Sequence, residues 1–326
     1  MIGAHQPENR RRGRLFITAR WLAAILVLGI LLHFLPLHLL GEAIQRVPLT
    51  RFIIILIGYL LAHVVGVAKW RMVVNAAGAQ LDYRTSAQCY AGGLFATLFL
   101  PSIIGGDVVR LAVGLRRSPN PAAVLAGNVA DRSLDMSAQA GLVLLGILLL
   151  PGSVPMALRS QARHAVYVIA GVAAIAIVLL GLLHRPLLRG RSVRFRRRLG
   201  RLRFALRSVS RRPHVLFFGW ILGTAIQTTF LTLTALLAIS CGLFLPLRDW
   251  FFAWPLAKLA ALLPLTQGGI GVREAALVGL LSPFGAAPHL VLAAGLVWEG
   301  VVILGGIVAG IAAFLLGRRE ATPERL

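Results

Sequence analysis

The sequence predicts an all-α, polytopic integral membrane helical bundle with about six spanning helices and two re-entrant hairpins broken by proline and glycine. Counting each hairpin as a span gives eight helices. Three observations carry the prediction. Of 326 residues, 58% are hydrophobic and 14% are charged, and the mean hydropathy is +0.81. A soluble domain carries about 25% charged residues, so this chain lacks the polar surface that water demands. Apolar runs recur that reach the roughly 20 residues needed to cross about 30 Å of hydrocarbon. Two further apolar runs are each interrupted at mid-length in the same pattern.

The basic start Arg10-Arg11-Arg12-Gly13-Arg14 leads into an apolar run from Leu15 to Leu40. A secretory signal core is only about 7–15 residues, and no small-residue cleavage site follows, so a retained first helix is expected. Further spanning helices are expected at Arg51–Val74, Pro121–Leu150, Arg163–Leu183, His214–Cys241 and Pro288–Gly317. Residues 86–117 and 250–283 are the interrupted runs. One contains Leu100-Pro101-Ser102-Ile103-Ile104-Gly105-Gly106-Asp107, the other Leu263-Pro264-Leu265-Thr266-Gln267-Gly268-Gly269-Ile270. Proline removes a helical hydrogen bond and a glycine pair loosens the turn, which predicts two hairpins.

The formal net charge of +23 is distributed as a membrane topology signal rather than as a nucleic-acid surface. Residues 185–212 hold twelve arginines and no acidic residue. With the N-terminus in the cytoplasm, this loop, Lys69, Arg71, Arg84, Arg116, Arg117, Arg318 and Arg319 all fall on the cytoplasmic side. The expected organisation is one domain over 1–317, with repeat halves roughly 15–184 and 213–317 joined by the arginine-rich loop 185–212. A cytoplasmic tail over 318–326 follows. The arginine loop serves topology, and it also suits contact with anionic headgroups. Trp21, Trp70, Trp250 and Trp254 suit interfacial anchoring.

The interrupted runs align with each other at a constant offset (264 − 101 = 163). Leu100-Pro101 matches Leu263-Pro264, Gly105-Gly106 matches Gly268-Gly269, and Val109-Arg110 matches Val272-Arg273. The topology makes the two hairpins enter from opposite sides, an inverted repeat of the kind that builds transporter sites near the midplane. Packing of small residues is the competing explanation.

Charges inside apolar segments cost about 2.5–3.5 kcal/mol each on insertion scales, so each calls for a partner or a task. Asp107 and Arg110 are three apart on a helix and can face the same way. Arg273 and Glu274 follow the second glycine pair, and Asp131, Arg132 and Asp135 share a patch with Asn128. Glu299 sits within the last helix, with Gln227 and Lys258 as candidate partners. Arg110 and Arg273 are candidates for contact with a lipid phosphate, because the guanidinium fork suits phosphate. Gly105, Gly106, Gly268 and Gly269 would open helix starts whose N–H groups face an anion. Asp107, Asp131, Arg132, Asp135, Glu274 and Glu299 are candidates for bracing or proton coupling. Histidine spacing offers no metal site, Cys89 and Cys241 read as buried thiols, and no cofactor or nucleotide loop is expected.

Three motifs in order, Leu100-Pro101-x-x-x-Gly105-Gly106-Asp107-x-x-Arg110, Asp131-Arg132-x-x-Asp135 and Pro264-x-x-x-Gly268-Gly269-x-Gly271-x-Arg273-Glu274, resemble the transmembrane region of lysylphosphatidylglycerol synthases. The resemblance covers nearly the whole chain. It implies a lipid-translocating bundle in a bacterial or archaeal cytoplasmic membrane, with those motif residues lining the substrate's path. The synthases continue into a cytosolic aminoacyl-transferase domain, whereas this chain stops nine residues after Gly317. Translocation without synthase activity is therefore expected.

The expected function is flippase or scramblase movement of an anionic phospholipid, glycolipid or polyprenyl-phosphate-linked lipid. Expected partners are anionic membrane lipids, with enzymes of lipid or glycan synthesis as further candidates and no nucleic acid. Two alternatives stand beside it. An intramembrane enzyme would hold Mg²⁺ on Asp131 and Asp135 over a polyprenyl diphosphate. A scaffold for an envelope-lipid or polysaccharide assembly complex would use the arginine loop as its contact face.

Overall fold

A computed structural model describes residues 37–100, 104–149, 193–261, 266 and 269–318. The expected helix Arg163–Leu183, most of Leu15–Leu40, and Pro101, Pro264 and Gly268 lie outside the described residues. Among the described residues the chain is entirely helical: α1 (Leu37–Gln45), α2 (Leu49–Ala76), α3 (Tyr83–Ala96), α4 (Ile104–Arg117), α5 (Pro121–Leu149), α6 (Val193–Ser210), α7 (Pro213–Ser240), α8 (Leu247–Ala260), α9 (Val272–Leu281) and α10 (Pro288–Arg318).

Four of these, α2, α5, α7 and α10, run 28 to 31 residues and are apolar enough to cross a membrane. At 1.5 Å per residue each exceeds the hydrocarbon thickness. Their bounds follow local chemistry. Pro213 occupies the first turn of α7, where a missing N–H costs nothing. Asp82 caps α3 by accepting the Thr85 amide at 3.2 Å. Ile53, Ile54, Ile57, Leu61 and Val64 remain exposed on α2, an apolar face suited to lipid.

The interrupted runs form two helical pairs, α3–α4 and α8–α9, with breaks between Ala96 and Ile104 and between Ala260 and Val272. Helices of 10 to 14 residues reach only about 15–21 Å, less than the hydrocarbon thickness. The pairs stand on opposite ends of α10. Arg84, at the start of α3, donates to the Leu316 carbonyl at 2.6 Å and so caps the C-terminal end of α10. Leu281, at the end of α9, shares a buried cluster with Val291 and Leu292 near the N-terminal end of α10.

The two copies of the repeat differ in detail. α4 begins at Ile104, so Gly105 and Gly106 lie within its first turn, whereas α9 begins only at Val272. Gly106 is needed for close approach, since a Cβ there would stand 2.5 Å from the Gly93 carbonyl oxygen of α3 and would strike Thr97. Gly269 and Gly271 instead adopt φ of 81° and 83°, which only glycine takes without strain. The first glycine pair therefore serves packing, whereas Gly269 and Gly271 of the second copy lie in a turn.

Three expectations are corrected by the fold. Much of the arginine-rich segment is a helix, α6, whose Ala205 and Val209 are buried in the same cluster as Val73, Val74 and Val215. The i, i+4 spacing of these two small residues gives α6 a core-facing stripe that the surrounding charge conceals in the sequence. Trp70, Trp250 and Trp254 are core residues at 0%, 1% and 3% exposure rather than interfacial anchors. Lys69, expected in water on the cytoplasmic side, is instead buried against carboxylates on α5.

Candidate functional site

Charged residues from six helices converge inside the bundle. On one side α2, α4 and α5 supply three cations and three carboxylates. The Lys69 Nζ bridges α2 to α5, donating to Asp131 Oδ1 at 2.6 Å and Asp135 Oδ1 at 2.7 Å. The four-residue spacing of the aspartates puts both carboxylates on one face of α5, where a single ammonium satisfies both. Arg110 of α4 donates to Asp107 at 3.0 Å and to the Asn128 side chain at 3.3 Å, with Asp131 Oδ2 at 3.6 Å. Trp70 holds Asn128 from the other side, Nε1 to Oδ1 at 3.1 Å. Arg132 lies 3.1 Å from Asp107 and 3.6 Å from Asp135. Arg110 also faces the rings of Trp70 and Tyr90 at 5.3 and 5.1 Å.

A second cluster ties α9 to α10. The Arg273 Nη2 donates to Glu274 at 2.7 Å and to Glu299 at 2.8 Å. Glu274, fully buried, also accepts the Gly271 amide at 2.7 Å and so closes the first turn of α9. The expected pairing of Glu299 with Gln227 or Lys258 is not formed. Those two residues bond each other instead, Lys258 Nζ to Gln227 Oε1 at 2.7 Å.

Two adjoining chambers lie between the helical pairs. The first, about 130 Å³, is named the polar chamber for the charged side chains Lys69, Asp107, Arg110, Asp131, Arg132 and Asp135, which are set in a wall that is otherwise largely apolar. The second, about 390 Å³, is mainly apolar and is walled by residues that include Phe99, Trp254, Trp298 and Ile303, with Arg273 and Glu299 at its edge. His63, Leu94, Thr97, Phe230 and Lys258 line both, so these five residues form the junction.

The candidate residues thus divide between two chambers that share a wall. Asp107, Arg110, Asp131, Arg132 and Asp135 stand together at the first, and Arg273 and Glu299 stand at the second with Glu274 behind them. Gly106 lines the polar chamber, and Gly268 lies outside the described residues. Arg110 and Arg273 both already hold carboxylates, so contact with a phosphate requires the ligand to share or displace those ion pairs. Lys69 fills the space between Asp131 and Asp135 that a divalent ion would need. Among the described residues no cluster of metal-ligating side chains occurs.

Sequence reasoning missed Lys69 and Gln139 as site residues. Gln139 is 3% exposed and lines the polar chamber, and its Oε1 has no hydrogen-bond partner among the described residues. One signal was present for Lys69. Of 34 basic residues only Lys69 and Lys258 are lysines, and each stands inside an apolar run. Both wall the polar chamber.

No curated protein matches the chain. The family model described as the lysylphosphatidylglycerol synthase TM region matches residues 17–310, which takes in every charged residue of both clusters. The chain belongs to the lysylphosphatidylglycerol synthase transmembrane-region family.

Proposed function

We propose that this protein moves a lipid with a phosphate-bearing headgroup across the bilayer, as a flippase or scramblase. The observation that carries the reading is the junction of a charged chamber with an apolar one, set between two helical pairs whose bases stand at opposite ends of α10. A headgroup needs the first chamber and its chains need the second, and a substrate that is all polar or all apolar would use only one. Family membership supports a role at membrane lipids. The helical pairs are read as re-entrant hairpins that dip from opposite faces, and the arginine-rich end as cytoplasmic. Shifting one hairpin against α5, or the other against α10, would open the junction to one face at a time.

Transport is favoured over Mg²⁺-dependent chemistry because the aspartate pair is already bridged by the Lys69 ammonium. The test is movement of a labelled anionic phospholipid and of a short-chain polyprenyl-phosphate sugar in proteoliposomes. Wild type is compared with the Arg110→Ala/Arg273→Ala variant, with monodispersity of both verified. Movement by wild type that fails in the variant supports the reading. Movement that is undiminished in the variant removes the arginines from the path, and no movement by wild type of either lipid rejects the reading.

A further inference from the structure

Among the described residues five basic side chains other than histidine wall the two chambers, and four of them are engaged by carboxylates. Lys258 is the exception: among the described residues no carboxylate lies within ion-pair distance of it. It is held in place instead by the Gln227 carbonyl and by the rings of Trp254 and Phe230, at 5.0 and 5.4 Å from Nζ. An ammonium offers three donors, and Gln227 uses one. Its place at the junction matters as much as its missing partner, because Lys258 faces the polar chamber and the apolar chamber at once. In a phospholipid the phosphodiester is the group that stands between headgroup and chains.

Gln139 supplies an independent observation on the headgroup side. It lies in the wall of the polar chamber, buried on α5, with an acceptor that no described residue bonds. A buried acceptor without a partner costs about 1–3 kcal/mol. A hydroxyl-bearing headgroup would remove that cost by donating to Oε1.

We propose that Lys258 anchors the phosphodiester of an anionic phospholipid at the junction of the chambers, with Gln139 reading a headgroup hydroxyl on the polar side. This rests on the lipid-transport reading for its purpose, while the binding claim stands or falls separately. It also differs from a phosphate contact at Arg110 or Arg273, because Lys258 has no ion pair to surrender.

Trp254 beside Lys258 gives the readout. Purified full-length protein in phosphatidylcholine nanodiscs is titrated by its intrinsic fluorescence, with Trp254→Phe identifying the reporting residue. The probes are phosphatidylglycerol, phosphatidylmethanol (the same charge, no headgroup hydroxyl), diacylglycerol, and the soluble diester glycerophosphoglycerol. Phosphatidylglycerol and phosphatidylmethanol are expected to bind and diacylglycerol to fail. Lys258→Gln should weaken both anionic lipids by about tenfold or more, the usual worth of a charged hydrogen bond, while Lys258→Arg retains binding. Gln139→Leu should weaken phosphatidylglycerol alone.

Unchanged affinity in Lys258→Gln overturns the anchor, as does failure of wild type to bind either anionic lipid. Equal binding of glycerophosphoglycerol and phosphatidylglycerol overturns the lipid assignment in favour of a soluble phosphodiester. If wild type moves lipid in proteoliposomes and Lys258→Gln moves and binds it equally well, the anchor falls and transport stands. If wild type binds through Lys258 yet moves nothing, the anchor stands and transport falls.

Discussion

Replacing Lys69 by methionine tests whether the charged chamber wall is held by the geometry described above. The substitution keeps the length and most of the apolar stem of lysine and removes the ammonium. Asp131 and Asp135 then lose contacts of 2.6 and 2.7 Å while their side chains stay 2% and 14% exposed. What remains is weaker. Arg110 and Arg132 lie 3.6 and 3.9 Å from Asp131, and Arg132 lies 3.6 Å from Asp135, all beyond ordinary hydrogen-bond length. The cluster changes from three cations against three carboxylates to two against three. Removing one partner from a buried ion pair costs about 3–5 kcal/mol, and with two carboxylates abandoned the upper part of that range is expected.

The assay is equilibrium unfolding in mixed micelles by a denaturing detergent, run as a double-mutant cycle with Asp131→Asn. The Lys69→Met/Asp131→Asn variant restores neutrality, so its loss should fall short of the sum of the single losses by about 2–3 kcal/mol. Additive losses would refute the reasoning. So would a loss below about 1 kcal/mol for Lys69→Met alone, since a pair worth no more than an exposed one is not buried as described.

The remaining predictions follow from packing, capping and sidedness. Gly93→Ala places a Cβ 2.7 Å from the Gly106 carbonyl oxygen and should destabilise by about 1–3 kcal/mol in the same assay. Gly92→Ala meets nothing within 4 Å and should be neutral or stabilising, by up to about 1 kcal/mol; equal effects from the two would contradict the close contact of α3 and α4. Arg84→Ala frees the Leu316 carbonyl and should raise hydrogen exchange over the last turn of α10 while leaving its middle protected. Cysteines introduced at Phe204 and Phe244, exposed at 74% and 77% near opposite ends of the bundle, should differ in labelling by an impermeant maleimide. Phe244→Cys should label in intact cells and Phe204→Cys only after permeabilisation. The reverse order would invert the proposed orientation. Both native cysteines are buried and should stay unlabelled.

The long helices were legible because their signal is local. Arg51–Val74 was expected where α2 spans Leu49–Ala76, and Pro288–Gly317 where α10 spans Pro288–Arg318. The pairing of Asp107 with Arg110 was legible for the same reason, since three residues on a helix fix the relative direction of two side chains. The bridge from Lys69 to Asp131 joins residues 62 positions apart, and no periodicity encodes which helices become neighbours. The same limit hid the division of labour among Glu299, Gln227 and Lys258, where Arg273 takes the glutamate and leaves the lysine to an amide. α6 was obscured differently. Its arginines dominate the composition, while its contact with the core rests on small residues such as Ala205 and Val209.

The two clusters also bear on how a chamber at membrane depth tolerates so much charge. Lys69, Arg110, Arg132, Lys258 and Arg273 are balanced by Asp107, Asp131, Asp135, Glu274 and Glu299, five against five. Neutrality limits the cost of holding the chamber in hydrocarbon, yet the balance is uneven in space. The α4–α5 cluster is neutral by itself. The α9–α10 cluster sets one arginine against two glutamates, and the fifth cation, Lys258 on α8, has no carboxylate within ion-pair distance among the described residues. A ligand phosphate that engages Lys258 would therefore act on α8 without breaking any short ion pair. The α3–α4 pair, by contrast, is tied to α5 through Asp107 and Arg110, both already ion-paired. On the proposed reading, α8–α9 is the helical pair whose position a lipid phosphate would alter. Its solvent protection should change on lipid binding while that of α3–α4 holds constant. Hydrogen exchange with and without anionic lipid measures this directly, and an equal response of both pairs would count against it.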